Sequence, residues 1–352
     1  MGTIRVAWWN LQNLFDTDDD PISTDLEFTV AKGWTPEAYA AKKANLAAVL
    51  GTLTADGPPE LLGVAEVEGD DVFAELLDDV GEPNLRVARD PEGTSDLRGI
   101  DVSVAYDQRK LTVVAQRTHV VNLRYPTRDI FEVVFSVNDT GDRLVVLASH
   151  WPSRRLGRYE SEPSRIAVAE NVAYLVRNHV RFDAATYLQL RDAGDIDAVR
   201  RRWETPILLM GDFNDEPLDR SVVNNLQASS ERDRVAGPTN DIDGFATEPA
   251  AYTGANTFLY NPMWSFLPGE QSGTFFLDST TTEAFANRYQ VLDQFVVSRG
   301  LLTEPGLRLD PASVRIIDDA RVATPAKRPR GFDRATKHGT SDHLPITATL
   351  SY

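Results

Sequence analysis

Short apolar runs, bounded by polar and turn-forming residues, recur along the chain, and several keep a two-residue period. Residues 4–8, 61–65, 100–106, 111–121, 131–137 and 144–149 read as strands on that basis, as do 207–210, 291–297 and 346–350. Residues 36–50 read as a helix: Thr35 is placed to cap it, Pro36 takes the first helical position and Gly51 follows its end. Residues 71–80 and 164–180 read as two more helices. Strands outnumber helices, and the helices fall between groups of strands. That order predicts two sheets packed on each other with helices outside, in one domain.

Several stretches break the pattern. Residues 17–34 are acidic and irregular, and 182–204 are charged and read as an extension of the preceding helix. Residues 227–287 carry Gly, Pro, Thr and scattered aromatics, and a loop that long is usually functional or locally folded. It is expected to wall a substrate groove, because insertions decorate the loop end of a fold where function sits. A basic segment, 321–339, precedes the last strand.

The apolar runs share an unusual ending. Asn10 follows VAWW, Glu66 follows LLGVA, His150 follows LVVLAS, and Asp212 and Asn214 follow ILLMG. Asp293 lies in YQVLDQFVVS, and Asp342 and His343 lie in GTSDHLP. Any one of these is an ordinary turn or cap residue. Together they are groups that ligate cations or transfer protons, each delivered by a short apolar segment.

Composition narrows the chemistry. The 352 residues are 42% hydrophobic and 25% charged, enough for a sizeable core without staples. Cys is 0, which excludes disulfides, thiolate metal sites and cysteine nucleophiles. The net charge of -17 argues against coating nucleic acid through a wide basic surface, but a bound cation inverts the field locally. No apolar run approaches the roughly 20 residues of a membrane span. The opening MGTIRVAWWN has no signal-peptide pattern, so the expected compartment is the cytoplasm unless a leader has been removed. A monomer without stable membrane association is expected.

The ordered set WNLQNLF, VAEVE, SHWPSRR, GDFND, LDQFVVS and SDHLP resembles the endonuclease/exonuclease/phosphatase superfamily, from Asn10 to His343. The resemblance implies an α+β fold, a four-layer α/β/β/α sandwich of two mostly antiparallel sheets. It implies one domain over residues 1–352, with an insertion at about 227–287. It also implies Mg²⁺ as cofactor, with Mn²⁺ or Ca²⁺ as alternatives. Glu66 would be the main metal ligand, Asn10 would orient Glu66 or a metal-bound water, and Asp342 would be a second carboxylate near the metal. Asp293 and His343 would form a carboxylate–imidazole pair. Asp212 and Asn214 would be the base-like and phosphate-orienting residues. The strand-end His150 places the chain nearer the deoxyribonuclease-like and sphingomyelinase-like branches than the apurinic endonucleases. It would protonate the leaving oxygen or bind a phosphoryl oxygen.

Further candidates rest on weaker patterns. Asp101, sharing a strand face with Ser103 and Ala105, is the expected acidic partner of His150. Arg154, Arg155 and Arg158, with Arg98, are expected phosphate contacts, by bidentate geometry. His119 and His179 read as packing or surface residues, and Trp8 and Trp9 as core, one per strand face. The expected activity is metal-dependent hydrolysis of a phosphodiester, with nucleic acid as substrate. The alternative is a phosphatase or phospholipase C-type enzyme acting on sphingomyelin, an inositol phosphate or a small phosphoester. A non-catalytic binding module is disfavoured, because no site residue is replaced.

Overall fold

The computed structural model describes residues 2–18, 27–89, 99–123, 127–244, 246–278 and 288–352. Its first sheet contains β1 (Thr3–Leu14), β2 (Leu61–Val67), β3 (Leu85–Ala88), β4 (Asp101–Asp107), β14 (Arg308–Ile316) and β15 (Ile346–Ser351), in the order β14-β15-β1-β2-β4-β3. The second contains β5 (Leu111–His119), β6 (Ile130–Val137), β7 (Arg143–His150), β8 (Ile207–Asp212), β9 (Ala228–Ser229), β10 (Leu259–Tyr260) and β13 (Asp293–Val297). Its order is β5-β6-β7-β8-β13-β10-β9.

Both sheets are mostly antiparallel, but each has a parallel pair at its centre: β1 with β2, and β7 with β8. A parallel pair needs a long crossover, and helices supply it. Helix α1 (Pro36–Leu50) joins β1 to β2, and α3 (Arg158–Val180), α4 (Ala184–Asp192) and α5 (Ile196–Trp203) join β7 to β8. With α2 (Asp70–Val80) they cover the outer faces. The result is the α/β/β/α sandwich. No helix among the described residues is long and apolar enough to cross a membrane.

Period-2 alternation divides each central strand between two cores. Ile4, Val6 and Trp8 face the second sheet, where they meet Leu208, Met210 and Phe295. Ala7, Trp9 and Leu11 face the helices and pack with Leu46, Phe73 and Leu76. Ile207 and Leu209 do the same on the far side, against Val168, Val172 and Val176 of α3. Strands buried on both faces read as nearly continuous apolar runs, as ILLM does.

The sheets approach closely at Gly63. A Cβ there would lie 2.7 Å from Trp8 Cε3 and 2.9 Å from Met210 Sδ. Gly63→Ala is therefore expected to destabilise the protein by about 1–3 kcal/mol through overpacking. A lowered urea midpoint with an unchanged slope would show it.

Three segments depart from the pattern reading. The third helix starts at Arg158 and carries Pro163 within it, so the proline is not its boundary. Residues 182–204 do not extend that helix. They form two more, because Asp183 caps Thr186 N–H, Gly194 turns left-handed at φ 74 and Asp195 caps Ala198 N–H. Within 227–287, β9 and β10 join the edge of the second sheet, with α6 (Arg232–Ala236) and α7 (Pro249–Gly254) beside them. Among the described residues of this segment, the later part reaches the ends of the central strands: β11 (Phe275–Phe276) pairs with β12 (Tyr289–Gln290), and Phe275 bridges to His343.

Candidate active site

The alternation that fills the inter-sheet core also places the polar strand ends. Trp8, Ala148, Met210 and Phe295 face the opposite sheet, and the next position of the same parity toward the common rim is Asn10, His150, Asp212 and Asp293. Strand register lines three of them up, His150 beside Asp212 and Asp212 beside Asp293. Asn10 reaches across from the first sheet and donates from Nδ2 to Asp212 Oδ2 at 3.1 Å.

Glu66 arrives differently. Simple alternation would turn it toward the helices, alongside Val64. It takes a left-handed φ of 61, and the register slips between Ala65 and Val67, so Val67 returns to the helix-side core. The bulge turns the Glu66 carboxylate into the gap, 3.8 Å from His150 Nε2. A positive φ on glutamate is a strained conformation that its surroundings must enforce.

His343 is held from several directions. Its Nδ1 donates to Asp293 Oδ2 at 2.7 Å, and Trp8 Nε1 donates to Asp293 Oδ1 at 2.9 Å. Trp9 Nε1 donates to the His343 carbonyl at 2.9 Å, and Ser341 Oγ donates to the Asn10 carbonyl at 2.6 Å. The tryptophans occupy opposite cores as expected, and their indole N–H groups also brace the site. The free Nε2 of His343 lies 3.8 Å from Asp212 Oδ2, and His150 Nε2 lies 3.4 Å from the same oxygen. Asn214, left-handed at φ 49, donates from its backbone to Asp212 Oδ1 at 2.9 Å and from Nδ2 to the Trp151 carbonyl at 3.1 Å.

These contacts shift the titrations. Burial pushes the Asp212 carboxyl up to about 6, with His343 opposing and Asp293 and Glu66 adding to the rise. Burial alone would depress His343, but Asp293 and Asp212 outweigh it and hold the imidazole well above its usual value. Asp342 is raised by burial and by Glu66. Burial lowers Lys42 to about 7, against the pull of Asp342 and Glu66.

The raised Asp212 value has a measurable consequence. Above about 6 the native state holds a buried charge that the unfolded chain, with its carboxyl near 3.8, accommodates freely. Native Asp212 binds its proton first as pH falls, so the penalty fades through that window. Relative to Asp212→Asn, the metal-free protein is expected to gain stability between pH 7.5 and 4.5, read from urea midpoints in EDTA.

The donor set suits a hard divalent cation. Glu66, Asp212, Asp293 and Asp342 crowd one rim, and Lys42 and His343 are the cations that offset them. Asp212, Asp293 and His343 present ligand atoms within 4.8 Å of one another. Both Asp293 oxygens and His343 Nδ1 are already hydrogen-bonded, however. The carboxylates of Glu66 and Asp342, both facing the cleft, are the better oxygen donors.

The cleft has a volume of about 600 Å³, and Arg128, Arg154, Arg155 and Phe275 help to line it. The arginines differ in availability. Arg154 spends Nε on the Asn214 carbonyl and Nη2 on Asp215 and Asp219, which leaves Nη1 buried without a partner. It anchors the Asn214 loop with one donor to spare, rather than presenting the free fork expected of it. Arg158 pairs with Asp219, whereas Arg155 is exposed. Arg98 lies outside the described residues. Asp101 does share a face with Ser103 and Ala105, but it is the helix-side face, where Ser103 donates to Asp70 at 2.9 Å. Its own carboxylate accepts from Val102 N–H at 2.7 Å.

Pattern reading missed Lys42, Arg128 and Phe275. Lys42 had a signal: it continues the buried Ala38–Leu46 stripe of α1 at four-residue spacing. There it donates to the Gln12 carbonyl and lies 5.3 Å from the Phe332 ring centroid. Phe275, whose ring centroid is 5.0 Å from that of His343, had none.

Solved structures share this fold at low identity. An endonuclease/exonuclease/phosphatase family protein from Bacteroides thetaiotaomicron is 14% identical, with a TM-score of 0.54, over 99% of this chain and 95% of that one. A humanized D. rerio TDP2 is 12% identical, with a TM-score of 0.55, over 99% of each chain. A mannosyl-6-phosphatase from Bacteroides thetaiotaomicron is 14% identical, with a TM-score of 0.53, over 99% of this chain and 100% of that one. No curated protein matches the sequence. Residues 5–351 match the Endonuclease/Exonuclease/phosphatase family profile, and the chain belongs to that family of phosphoester hydrolases.

Proposed function

We propose that the protein is a divalent-metal-dependent phosphodiesterase that cleaves nucleic acid. The observation that carries this reading is the convergence on Asp212 Oδ2: the Nε2 atoms of His150 and His343 lie 3.4 and 3.8 Å from it. One acceptor and two imidazoles facing a common gap suit a water, a phosphoryl group and a leaving oxygen.

Glu66, Asp342 and Asn10 would hold the cation, which supplies charge neutralisation at the phosphoryl oxygens. Asp212 takes the proton of the attacking water at Oδ2, and Asn214 fixes Asp212 through its backbone N–H. The new bond joins the water oxygen to phosphorus as the bond to the leaving oxygen breaks. His343, held charged by Asp293, donates from Nε2 to a phosphoryl oxygen. His150 Nε2 faces the leaving oxygen. Arg155 and the spare Nη1 of Arg154 receive the flanking phosphate.

A diester of nucleic acid is favoured by the cleft wall. Phe275 presents an aromatic face beside His343, and base–aromatic stacking is sequence-tolerant. D. rerio TDP2 has been crystallised with a single-strand DNA product. The mannosyl-6-phosphatase supports the second reading, a small-phosphoester phosphatase. The deciding experiment compares kcat/KM on supercoiled plasmid, single-stranded DNA, an aryl phosphodiester and a sugar 6-phosphate, with EDTA as control. The expected result is metal-dependent cleavage of the nucleic acids. Turnover confined to the sugar phosphate would overturn the nuclease reading and leave the phosphatase.

A further inference from the structure

The far end of the second sheet gathers arginines without acids to match them. β7 reaches the cleft at His150 and starts away from it at Arg143. Helix α3 starts near the cleft and runs 23 residues, about 34 Å at 1.5 Å per residue. Arg177 and Arg181 stand at its distal end, beside Arg201 and Arg202 from the end of α5. In a chain of net charge -17, several buried or half-buried arginines are paired: Arg154, Arg158, Arg165, Arg200 and Arg299 all have carboxylates within 4.0 Å. Among the described residues Arg143, Arg177, Arg181, Arg201 and Arg202 have none.

Arg181 is the centre of the group. It is 8% exposed, its Nη1 donates to the Thr253 carbonyl at 3.0 Å, and its Nε is buried with no hydrogen-bond partner. Burial lowers its affinity for a proton, and the like charge of Arg177 lowers it further. Arg202 is depressed by burial and by Arg143 in the same way. The Arg181 guanidinium lies over the Trp203 ring, 5.5 Å from its centroid, but it has no carboxylate beside it, and its buried, orphaned donor is an unfavourable arrangement that an anion would relieve.

The surface there is hollowed. Cavities of about 380 and 590 Å³ share Tyr174, Arg177, Arg181 and Thr253, and a third of about 300 Å³ is lined by Arg143, Arg201 and Arg202. Two acids border them: Asp183 has both oxygens engaged and Glu170 one. Asp183 accepts from Thr186 as the cap of α4, and Glu170 accepts from Asn225 Nδ2 at 2.7 Å. Arg202 also has a structural task, donating to the Asn178 and Arg181 carbonyls at the end of α3. That explains Arg202, but not the exposed Arg143, Arg177 and Arg201 or the buried Nε of Arg181.

We infer that this end of the molecule is a second anion site, separate from the cleft, that takes a phosphate-bearing ligand. Guanidinium groups converging from α3, α5 and β7 match the several oxygens of a phosphoryl group better than a single carboxylate. Tyr174, 63% exposed at the rim, offers a ring face for a base. The phosphate would come from a free nucleotide or from a nucleic-acid chain.

The test titrates the metal-free protein in EDTA with inorganic pyrophosphate and, separately, with a short single-stranded oligonucleotide, by calorimetry at low salt. Three proteins are compared: wild type, His343→Ala, and the double variant Arg177→Gln/Arg201→Gln, whose altered side chains are exposed. Wild type and His343→Ala are expected to bind alike. The double variant should bind at least about tenfold more weakly, the loss of one or two charge-assisted hydrogen bonds, with its thermal transition unchanged. Binding of both probes identifies a free phosphate source, and binding of the oligonucleotide alone identifies a polymer. The inference falls if neither probe binds, if the double variant binds like wild type, or if His343→Ala abolishes binding.

Discussion

His343→Ala is expected to lower kcat/KM by about a thousandfold or more while leaving the fold intact. The substitution removes the charged donor whose Nε2 faces the reaction gap. It also strips Asp293 of its partner at Oδ2, leaving only the Trp8 indole on Oδ1. The loss spreads to Asp212, because His343 is the neighbour that opposes the rise in its carboxyl. The carboxyl of Asp212, the proposed base, then titrates higher, and the acid limb of the pH–rate profile moves to higher pH. Asp293→Asn should act on the same unit by releasing the imidazole from its countercharge. The double variant should therefore be no worse than His343→Ala alone. Additive losses, or an unmoved acid limb, would show that His343 and Asp293 work apart.

Glu66→Gln is expected to weaken activating Mg²⁺ by about a hundredfold or more, with a matching loss of rate at low metal. The glutamine keeps the shape of the side chain and removes its charge. In the metal-free protein the same change should be mildly stabilising, because Glu66 is one of the carboxylates that raise Asp342 and Asp212. A ligand that repels its neighbours until the cation arrives behaves this way, and a purely structural glutamate does not. Metal titrations of activity, paired with urea midpoints in EDTA, read both effects. An unchanged metal requirement would remove Glu66 from the centre.

Much of this architecture is visible in the residues, for a physical reason. Trp8–Asn10, Ala148–His150 and Met210–Asp212 are each two apart, so the strand period that buries the first carries the second to the same face. Glu66 obeys no such rule. It reaches the site through a left-handed bulge that nothing in LLGVAEVE announces. Arg154 illustrates a second limit: a basic cluster beside a histidine looks like a phosphate clamp, but Asp215 and Asp219 claim most of its donors. Which acids fold back onto which arginines is set by tertiary approach across about 60 residues of chain, and local pattern is silent on it. The two added helices between 182 and 204 were legible in principle, through Asp183, Gly194 and Asp195, because capping residues mark helix starts more reliably than charge marks their continuation.

The order β14-β15-β1 has a consequence for how the protein is made. One edge of β1 is completed by β2, available soon after it emerges from the ribosome. The other belongs to β15, whose residues follow some 330 positions later. At about 5–20 residues per second, the nascent first strand waits roughly 20 to 60 seconds with that edge open. His343 arrives with the same late segment, so the candidate site stays incomplete until that segment has been made.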